Sequence, residues 1–375
     1  MKKILNIVIT GGPCGGKTTA MDDLAKLLRS LGYIVYICPE AATYVINNGI
    51  KPFGAHRLNG RDFQKIVSKT QKYHEEISRD SANACPNDKV AILYDRGLLD
   101  GRAYVGNEVF QEILNEIGIT ESEILSNYDL VIHMVTAAIG AEKFYTTDNN
   151  TARTETPEEA REKDHATMES YSNHPNFYIV NNNGTFDEKR QMVENIIRLY
   201  IGEEPVIKKE RYLVDIRDID FELCNNTILE EEIEEFVKKY DNAEDEVYSR
   251  SMVNEHSYFT YTKNRFQKDG SKVSTCRTID KSIYLDELAK IKGNVIHKTR
   301  YNFIDGGERY RLDFYDINDG NFCILERDVT NINKKPLPYF IYNATNITNN
   351  RNYDDDSIFI DYNIDQIVKK KKQGK

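Results

Sequence analysis

The sequence predicts an α/β chain in two parts. A doubly wound parallel sheet spans residues 1–203, an antiparallel α+β domain spans 204–368, and a basic tail occupies 369–375. Three observations carry that division. Apolar strand-like runs alternate with amphipathic helices through the first two hundred residues. The pattern Gly, four residues, Gly, Lys, Thr lies between the first run and the first helix, from Gly11 to Thr18. From about residue 204 the runs shorten and carry charges at every second position.

A chain of 375 residues is long for a single core. Hydrophobic content of 40% with 29% charged residues describes an ordinary soluble globular protein. The formal net charge of -10 argues against sequence-independent nucleic-acid binding, which needs a basic face to release counterions. No nucleic-acid partner is expected. The six cysteines lie far apart with no CxxC pair, which reads as reduced thiols in a cytoplasmic protein rather than a disulfide frame or zinc site. The opening "MKKILNIVITGG" places two lysines before an apolar run. That run is too short for a signal peptide and leads straight into the glycine-rich segment, so it reads as a first buried strand. No apolar stretch approaches membrane-spanning length.

The five strand-like runs are "ILNIVIT", "YIVYICPE", "KVAILYDRG", "LVIHMV" and "NFYIV". Nearly continuous apolar content suits strands buried on both faces of a parallel sheet. After the glycine-rich loop, Met21, Leu24, Leu27, Leu28 and Leu31 share one helical face, and Gly32 stops the helix. Thr156 can cap a later helix, with Pro157 in its first turn and Glu159 closing a capping box. The helix "FDEKRQMVENIIRLYIG" ends this half, and "IGEEPVI" reads as a linker.

Beyond the linker, strands are expected at "KERYLVDI", "SYFTYTK", "VIHKTRYNFI", "ERYRLDFYDI" and "NFCILERDVT", with one helix at "DKSIYLDELAKI". Lys298 and Arg300, Arg311 and Asp313, and Glu326 and Asp328 each sit two apart, so each pair shares a strand face. Two readings stand: a solvated outer face, or a barrel whose interior is charged. The tail "IVKKKKQGK" reads as a disordered basic end with weak attraction to membranes.

The Gly11–Thr18 pattern is a phosphate cradle. Backbone N–H groups of such a loop point inward and the next helix presents its N-terminus to the same anion. Gly11, Gly12, Pro13, Cys14, Gly15, Gly16, Lys17, Thr18 and Thr19 form the expected nucleotide-binding set. Lys17 would reach the β- and γ-phosphates of ATP or GTP, and Thr18 would hold Mg²⁺ with help from Asp95. Glu40 in "CPEAAT" follows the second strand, and Asp95-Arg96 in "LYDRGLLDGRAY" follows the third. Carboxyl ends of strands in such a sheet open on one crevice. A carboxylate there can hold Mg²⁺ through water or accept a proton, and Arg96 can offset phosphate charge. Glu40 also reads as a helix N-terminal acid. Arg153 and Arg161 fall where a mobile lid would close over the phosphates, though surface arginine is the plainer reading of either. Gln71 reads as a base or substrate contact, or as an exposed helical glutamine.

The ordered set "GGPCGGKTT", "PEAATYVINNG", "YDRGLLDGRAY", "ARTETPEEAR" and "HPNFYIVNNNGTFDEK" resembles the AAA-type, kinase-like family related to the nicotinamide-ribose kinase half of NadR. That resemblance implies functional roles for Glu40 and for the Asp95-Arg96 pair. The later segments "IKKERYLVDI", "YSRSM", "SYFTYTK", "HKTRYNFI", "YRLDFYD", "ILERDVT" and "LPYF" resemble CYTH domains, the triphosphate tunnel metalloenzymes. The resemblance implies a β-tunnel lined by Arg250, Lys263, Lys298, Arg300 and Arg311, with Asp313, Glu326 and Asp328 as its acids. One departure stands out. The family's Glu-x-Glu-x-Lys opening is replaced here by Ile207, Lys209 and Arg211, which should weaken metal binding and favour anion binding over cleavage. The pair of domains together resembles the TRPL-translocation-defect family, which implies GTP or ATP and a phosphoinositide as ligands, in trafficking-type regulation with peripheral membrane contact. Three functions follow as expectations: a P-loop phosphotransferase or NTPase, a nucleotide-controlled reader of a phosphorylated anion, and, disfavoured by Ile207 and Lys209, a triphosphate phosphohydrolase.

Overall fold

The computed structural model describes residues 3–145, 156–202, 208–224, 226–240, 244–253, 256–266, 272–291, 295–315, 322–329 and 335–354. The chain divides into two compact units, residues 1–197 and 198–375.

In the first unit, strands β1 (Lys3–Thr10), β2 (Ile34–Cys38), β3 (Lys89–Asp95), β4 (Leu130–Met134) and β5 (Phe177–Val180) form one parallel sheet in the order β2-β3-β1-β4-β5. Its helices are α1 (Lys17–Ser30), α2 (Ala41–Asn47), α3 (Gly60–Ala84), α4 (Arg102–Val105), α5 (Asn107–Ile117), α6 (Glu121–Asn127), α7 (Pro157–Ser170) and α8 (Phe186–Ile201). The central strands are as apolar as expected: Ile7, Val8, Ile9, Ala91 to Leu93 and Leu130 to Ile132 are all buried. The run at β2 is the exception, with Ile34 and Ile37 exposed, because β2 is an edge strand with one neighbour only. Met21, Leu24, Leu27 and Leu28 of α1 are buried as one face, each side chain contributing about 1.5–3 kcal/mol. The α7 cap forms as read from sequence, with the Glu159 amide donating to Thr156 Oγ1 (3.2 Å) and the Thr156 amide to Glu159 Oε2 (2.8 Å).

The second unit is a nine-stranded antiparallel sheet. Its strands are β6 (Lys208–Asp215), β7 (Leu229–Lys239), β8 (Glu244–Val253), β9 (His256–Phe266), β10 (Lys272–Thr278), β11 (Ile296–Asp305), β12 (Glu308–Tyr315), β13 (Phe322–Val329) and β14 (Thr345–Asn346). They run in the order β10-β9-β8-β7-β11-β12-β13-β6-β14. The sheet curls. Asp354, just past β14, pairs with Arg211 on β6 (2.9 Å) and with Lys272 on the opposite edge strand β10 (3.5 Å). Nearby, the Arg351 guanidinium lies over the Phe266 ring of β9 at 3.8 Å. Side chains thus close the open side of the sheet.

Register assigns the two faces. Lys298, Arg300 and Asn302 of β11 share a face with Arg311 and Asp313 of β12, Glu326 of β13, and Glu231 and Glu235 of β7. This is the inner face, and the charged-interior reading of the period-two pairs is the one realised. A cluster of Leu213, Ile296, Tyr315 and Ile324 shares this inner face with the charges, and the other face carries two further apolar clusters. Tyr212, Phe303, Tyr310, Leu312 and Leu325 pack with Phe340 and Ile341, and Phe236, Tyr248 and Phe259 pack with Tyr284 of α9 (Lys281–Leu288).

Candidate functional site

The first site forms where β1 and β3 end. The loop after β1 turns back through Gly11, with φ 134°, and a Cβ there would stand 2.1 Å from the Met134 carbonyl oxygen. Only glycine fits. Cys14 holds φ 57°, a left-handed conformation that is unusual for a residue with a side chain. Lys17 opens α1 and is buried, its ammonium donating to the carbonyls of Gly11 (2.9 Å) and Gly12 (2.8 Å). Burial first, and the neighbouring Arg96 guanidinium second, push its pKa down to about 7. The lysine is therefore a charge held in place by two neutral acceptors, ready for a stronger partner. Thr18 and Thr19, one and two residues on, are exposed.

Across the crevice, Arg96 adopts φ 71° directly after β3. Its amide still donates to the Ile9 carbonyl (3.1 Å), extending the β1–β3 ladder. Its guanidinium donates to Glu40 Oε1 (2.6 Å), the Gly11 carbonyl (3.2 Å) and Asp100 Oδ2 (3.2 Å). Asp100 in turn accepts from Thr10 Oγ1 (2.6 Å) and the Tyr171 hydroxyl (2.7 Å). Glu40 sits at the N-cap position of α2, with no side-chain hydrogen bond to the helix amides. Burial opposes its charge, but Arg96, the Thr43 hydroxyl and Lys17 hold its carboxyl down at about 2. Asp95 differs: burial, then the Glu40 charge, raise its pKa from its ordinary value. Of the two acids, Glu40 is committed to Arg96, and Asp95 has the higher proton affinity.

The geometry fits a metal-bound polyphosphate. Thr18 offers an exposed hydroxyl in the first turn of α1, and Asp95 is a half-buried carboxylate whose charge Lys17 and Arg96 both feel. Those two residues would hold Mg²⁺. Arg161 is farther down the loop system, donating to the Ala138 carbonyl (2.8 Å) and to Glu158 (3.0 Å). Arg153 lies outside the described residues.

Sequence reasoning misjudged Gln71. It is not the exposed helical glutamine of one reading. It is buried on α3 and donates to Glu75 Oε1 (3.0 Å) and to the strained Arg96 carbonyl (3.2 Å). The polar residues Gln64, Ser68, Gln71 and Glu75 recur every three or four positions on α3 and are all buried, a polar stripe that marks an inward face. Asp100, Asp164 and His133 were also missed. Asp164 and His133 are buried polar residues with no motif around them, and Asp100 lies inside "YDRGLLDGRAY" but was given no role.

The second site is the tunnel interior. Lys298 reaches Glu235 (2.9 Å) and Asp313 (3.3 Å), and Arg300 grips Asp313 through two bonds of 2.6 and 2.7 Å. Arg311 reaches Glu326 (2.7 Å) and Asp328 (3.0 Å), while Lys209 reaches Glu326 (3.1 Å). Against the cost of burial, Lys209, Arg311 and Arg211 hold Glu326 well below its usual range. Cations and acids alternate, so the lining is balanced rather than simply basic. Two expected members are elsewhere. Arg250 pairs in register with Glu234, and Lys263 with Glu246, both on the opposite face, because each is one residue out of phase with the inward positions. Lys263 binds Glu244 there (2.8 Å), and Arg250 lines an outward cleft of about 270 Å³ with Glu232, Glu234 and His297. In their place the interior holds Arg309, Asn302 and Tyr258, the last bonded to Glu231. Burial, then Arg311, push Arg309 down to about 9. Ile207 lies outside the described residues; among those described, no group of three or more metal-ligating side chains converges.

The fold and the first site define an α/β domain with a phosphate loop at the end of its first strand, followed along the chain by a curled antiparallel sheet. Residues 6–190 match a family model described as "AAA domain". No curated protein matches the chain. Among solved structures, the inorganic triphosphatase NE1496 is similar at 12% identity and a TM-score of 0.30, over 43% of this chain and 99% of that one. The PH1819 protein from Pyrococcus horikoshii OT3 is similar at 16% identity and a TM-score of 0.27, over 34% of this chain and 80% of that one. No helix among the described residues is long and apolar enough to cross a membrane.

Proposed function

We propose that the first unit binds the magnesium complex of ATP or GTP and transfers or hydrolyses its γ-phosphate. The observation that carries this reading is the meeting of Lys17, Glu40, Asp95 and Arg96 at the ends of adjacent strands. Lys17 and the loop amides hold the β- and γ-phosphates, and Glu40 and Asp100 orient Arg96 toward the charge that develops on them. Thr18 and Asp95 would hold Mg²⁺, which when bound would supply positive charge against the phosphates. An acceptor hydroxyl or water attacks the γ-phosphorus while its proton passes to a carboxylate. The bond to the β–γ bridging oxygen then breaks and the diphosphate leaves. Glu40 is already held by Arg96, so Asp95 is the carboxylate left for either task, holding the metal ion or taking the proton, but not both in one step.

The tunnel takes a phosphorylated anion, either free polyphosphate or a phosphoinositide headgroup at a membrane. The resemblance to a trafficking family points to the headgroup. Arg300, Lys298, Arg311 and Lys209 would exchange carboxylate partners for phosphate oxygens, which accept similar bidentate bonds.

The test follows γ-labelled ATP and GTP with magnesium and a panel of phosphate acceptors. Asp95→Asn should lose turnover by at least a hundredfold while nucleotide affinity changes less than threefold, and Lys17→Ala should lose both. Wild-type protein that neither transfers nor releases label overturns the enzymatic reading.

A further inference from the structure

Beneath the phosphate loop lies a buried carboxylate that the reaction itself does not use. Asp164 projects from the middle of α7 and is fully inaccessible. Its Oδ1 accepts from the Gly12 amide (2.7 Å), the Thr136 amide (3.0 Å) and the His133 ring Nε2 (3.1 Å). Three separate segments therefore meet on one oxygen: the phosphate loop, the turn after β4, and β4 itself. A Cβ on Gly12 would stand 2.6 Å from that oxygen, so the loop is pressed directly onto it.

The same turn after β4 makes two more ties. Thr136 Oγ1 donates to the Pro13 carbonyl (2.5 Å), and the Ala138 carbonyl accepts from Arg161, three residues before Asp164 on α7. From the far side, Lys189 of α8 donates to the Val135 carbonyl (2.7 Å), and Asn182 donates to the Thr136 carbonyl (2.8 Å). The turn is thus braced against β5 and α8 and can pass a displacement of α7 only to the phosphate loop.

The energetics point the same way. A buried carboxylate close to a polyphosphate site repels the ligand, and Asp164 Oδ2 and His133 Nδ1 have no hydrogen-bond partner among the described residues. A charge in so unfavourable a place is explained by what its other oxygen does. An oxygen that accepts three bonds in a dry site fixes the direction of the loop and turn backbone that donate to it.

We propose that Asp164 is a positioning residue that locks α7, the helix carrying Arg161, to the phosphate loop, so that lid helix and loop move as one body. The proposal rests on the nucleotide-binding reading of that loop. Binding of ligand would then order α7, and closure of α7 would hold the Gly12–Cys14 backbone in its phosphate-binding form.

Asp164→Asn keeps an oxygen for the Gly12 and Thr136 amides, whereas Asp164→Ala leaves both amides buried without an acceptor. Calorimetry with magnesium-ATP and magnesium-GTP, at a temperature well below each variant's unfolding midpoint, should show affinity within threefold of wild type for Asn. The Ala variant should lose at least tenfold. Hydrogen–deuterium exchange on wild type adds a measurement that needs no variant. Saturating nucleotide should slow exchange in residues 157–168 as well as in 11–16. Protection confined to 11–16 overturns the coupling, as does an Ala variant that binds like wild type. Equal losses in Asn and Ala overturn the acceptor role. If wild type itself takes up no nucleotide, the nucleotide-binding reading fails and the coupling falls with it.

Discussion

The buried lysine of the phosphate loop makes proton uptake a direct readout of ligand capture. In the free protein Lys17 bonds only to two carbonyls and its pKa falls to about 7, chiefly through burial. A bound polyphosphate supplies negative charge at contact distance and returns the ammonium toward its ordinary value near 10.5. Binding above pH 7 therefore takes up protons, about half a proton at pH 7 and about nine-tenths at pH 8. Affinity should fall by up to about tenfold per pH unit from 7 upward. At pH 8 the terminal phosphate is already fully ionised, since its last pKa lies near 6, so the ligand contributes little of its own.

The assay is calorimetry at pH 8 in two buffers of widely different ionisation enthalpy. The apparent binding enthalpy should differ between them by nearly one proton's worth, and Lys17→Met should remove whatever difference the wild type shows. Stability carries the same signature with a definite sign. Because the folded pKa lies below the unfolded one, the unfolded chain binds more protons between about pH 7 and 10.5. The cost of the buried ammonium is thus full below pH 7, and the free protein gains stability from this group as pH rises through that window. Saturating nucleotide should flatten the gain. Identical enthalpies in both buffers, with affinity level from pH 7 to 9, would refute the account of Lys17 as a displaced, half-deprotonated cation.

Three further outcomes are expected. In a Lys17→Ala background, inorganic triphosphate should still bind the tunnel in the presence of chelator. Adding Lys209→Glu, which sets a carboxylate beside Glu326 and Asp328, should lower the unfolding midpoint by roughly 5 °C and make it rise again with Mn²⁺. A triphosphate signal that vanishes with chelator, or a Glu variant indifferent to metal, would contradict the ion-pair description. Cys14→Gly should stabilise the first unit by about 0.5–1 kcal/mol, since relief of the left-handed conformation outweighs the added freedom of the unfolded chain. Denaturant midpoints would measure it.

The sequence made some features legible and hid others for physical reasons. A phosphate loop is encoded locally: glycines where the backbone must pass close to Met134, a lysine at the helix start, and a strand before it. Asp95 and Arg96 were legible because a charge directly after an apolar strand has only the end of the sheet to occupy. The supports were not. Asp164, His133, Gln71, Glu75 and Asp100 are buried polar groups whose partners lie between 4 and 152 residues away, and no spacing within one segment discloses them. In the second unit the alternation of charges gave the inward face of β11 to β13 correctly. It failed for Arg250 and Lys263, where an error of one residue reverses the face and nothing in "YSRSM" or "TYTKNRF" fixes the phase.

The balance of charge inside the tunnel decides how it can work. An empty ring of arginines and lysines would repel itself and could not stay buried, so each cation needs a counterion when no ligand is present. Asp313, Glu326, Asp328 and Glu235 fill that role. A single phosphate that displaced one carboxylate would leave a buried acid unpaired, at a cost close to what it gained. A ligand with several linked phosphates differs, since each added group recruits another cation at a small further loss of freedom. If Lys209 already neutralises Glu326, a divalent ion must compete with a tethered ammonium for the same oxygens. On the proposed anion-binding reading, the tunnel would then select by the number of charges on the anion rather than by a metal carried with it.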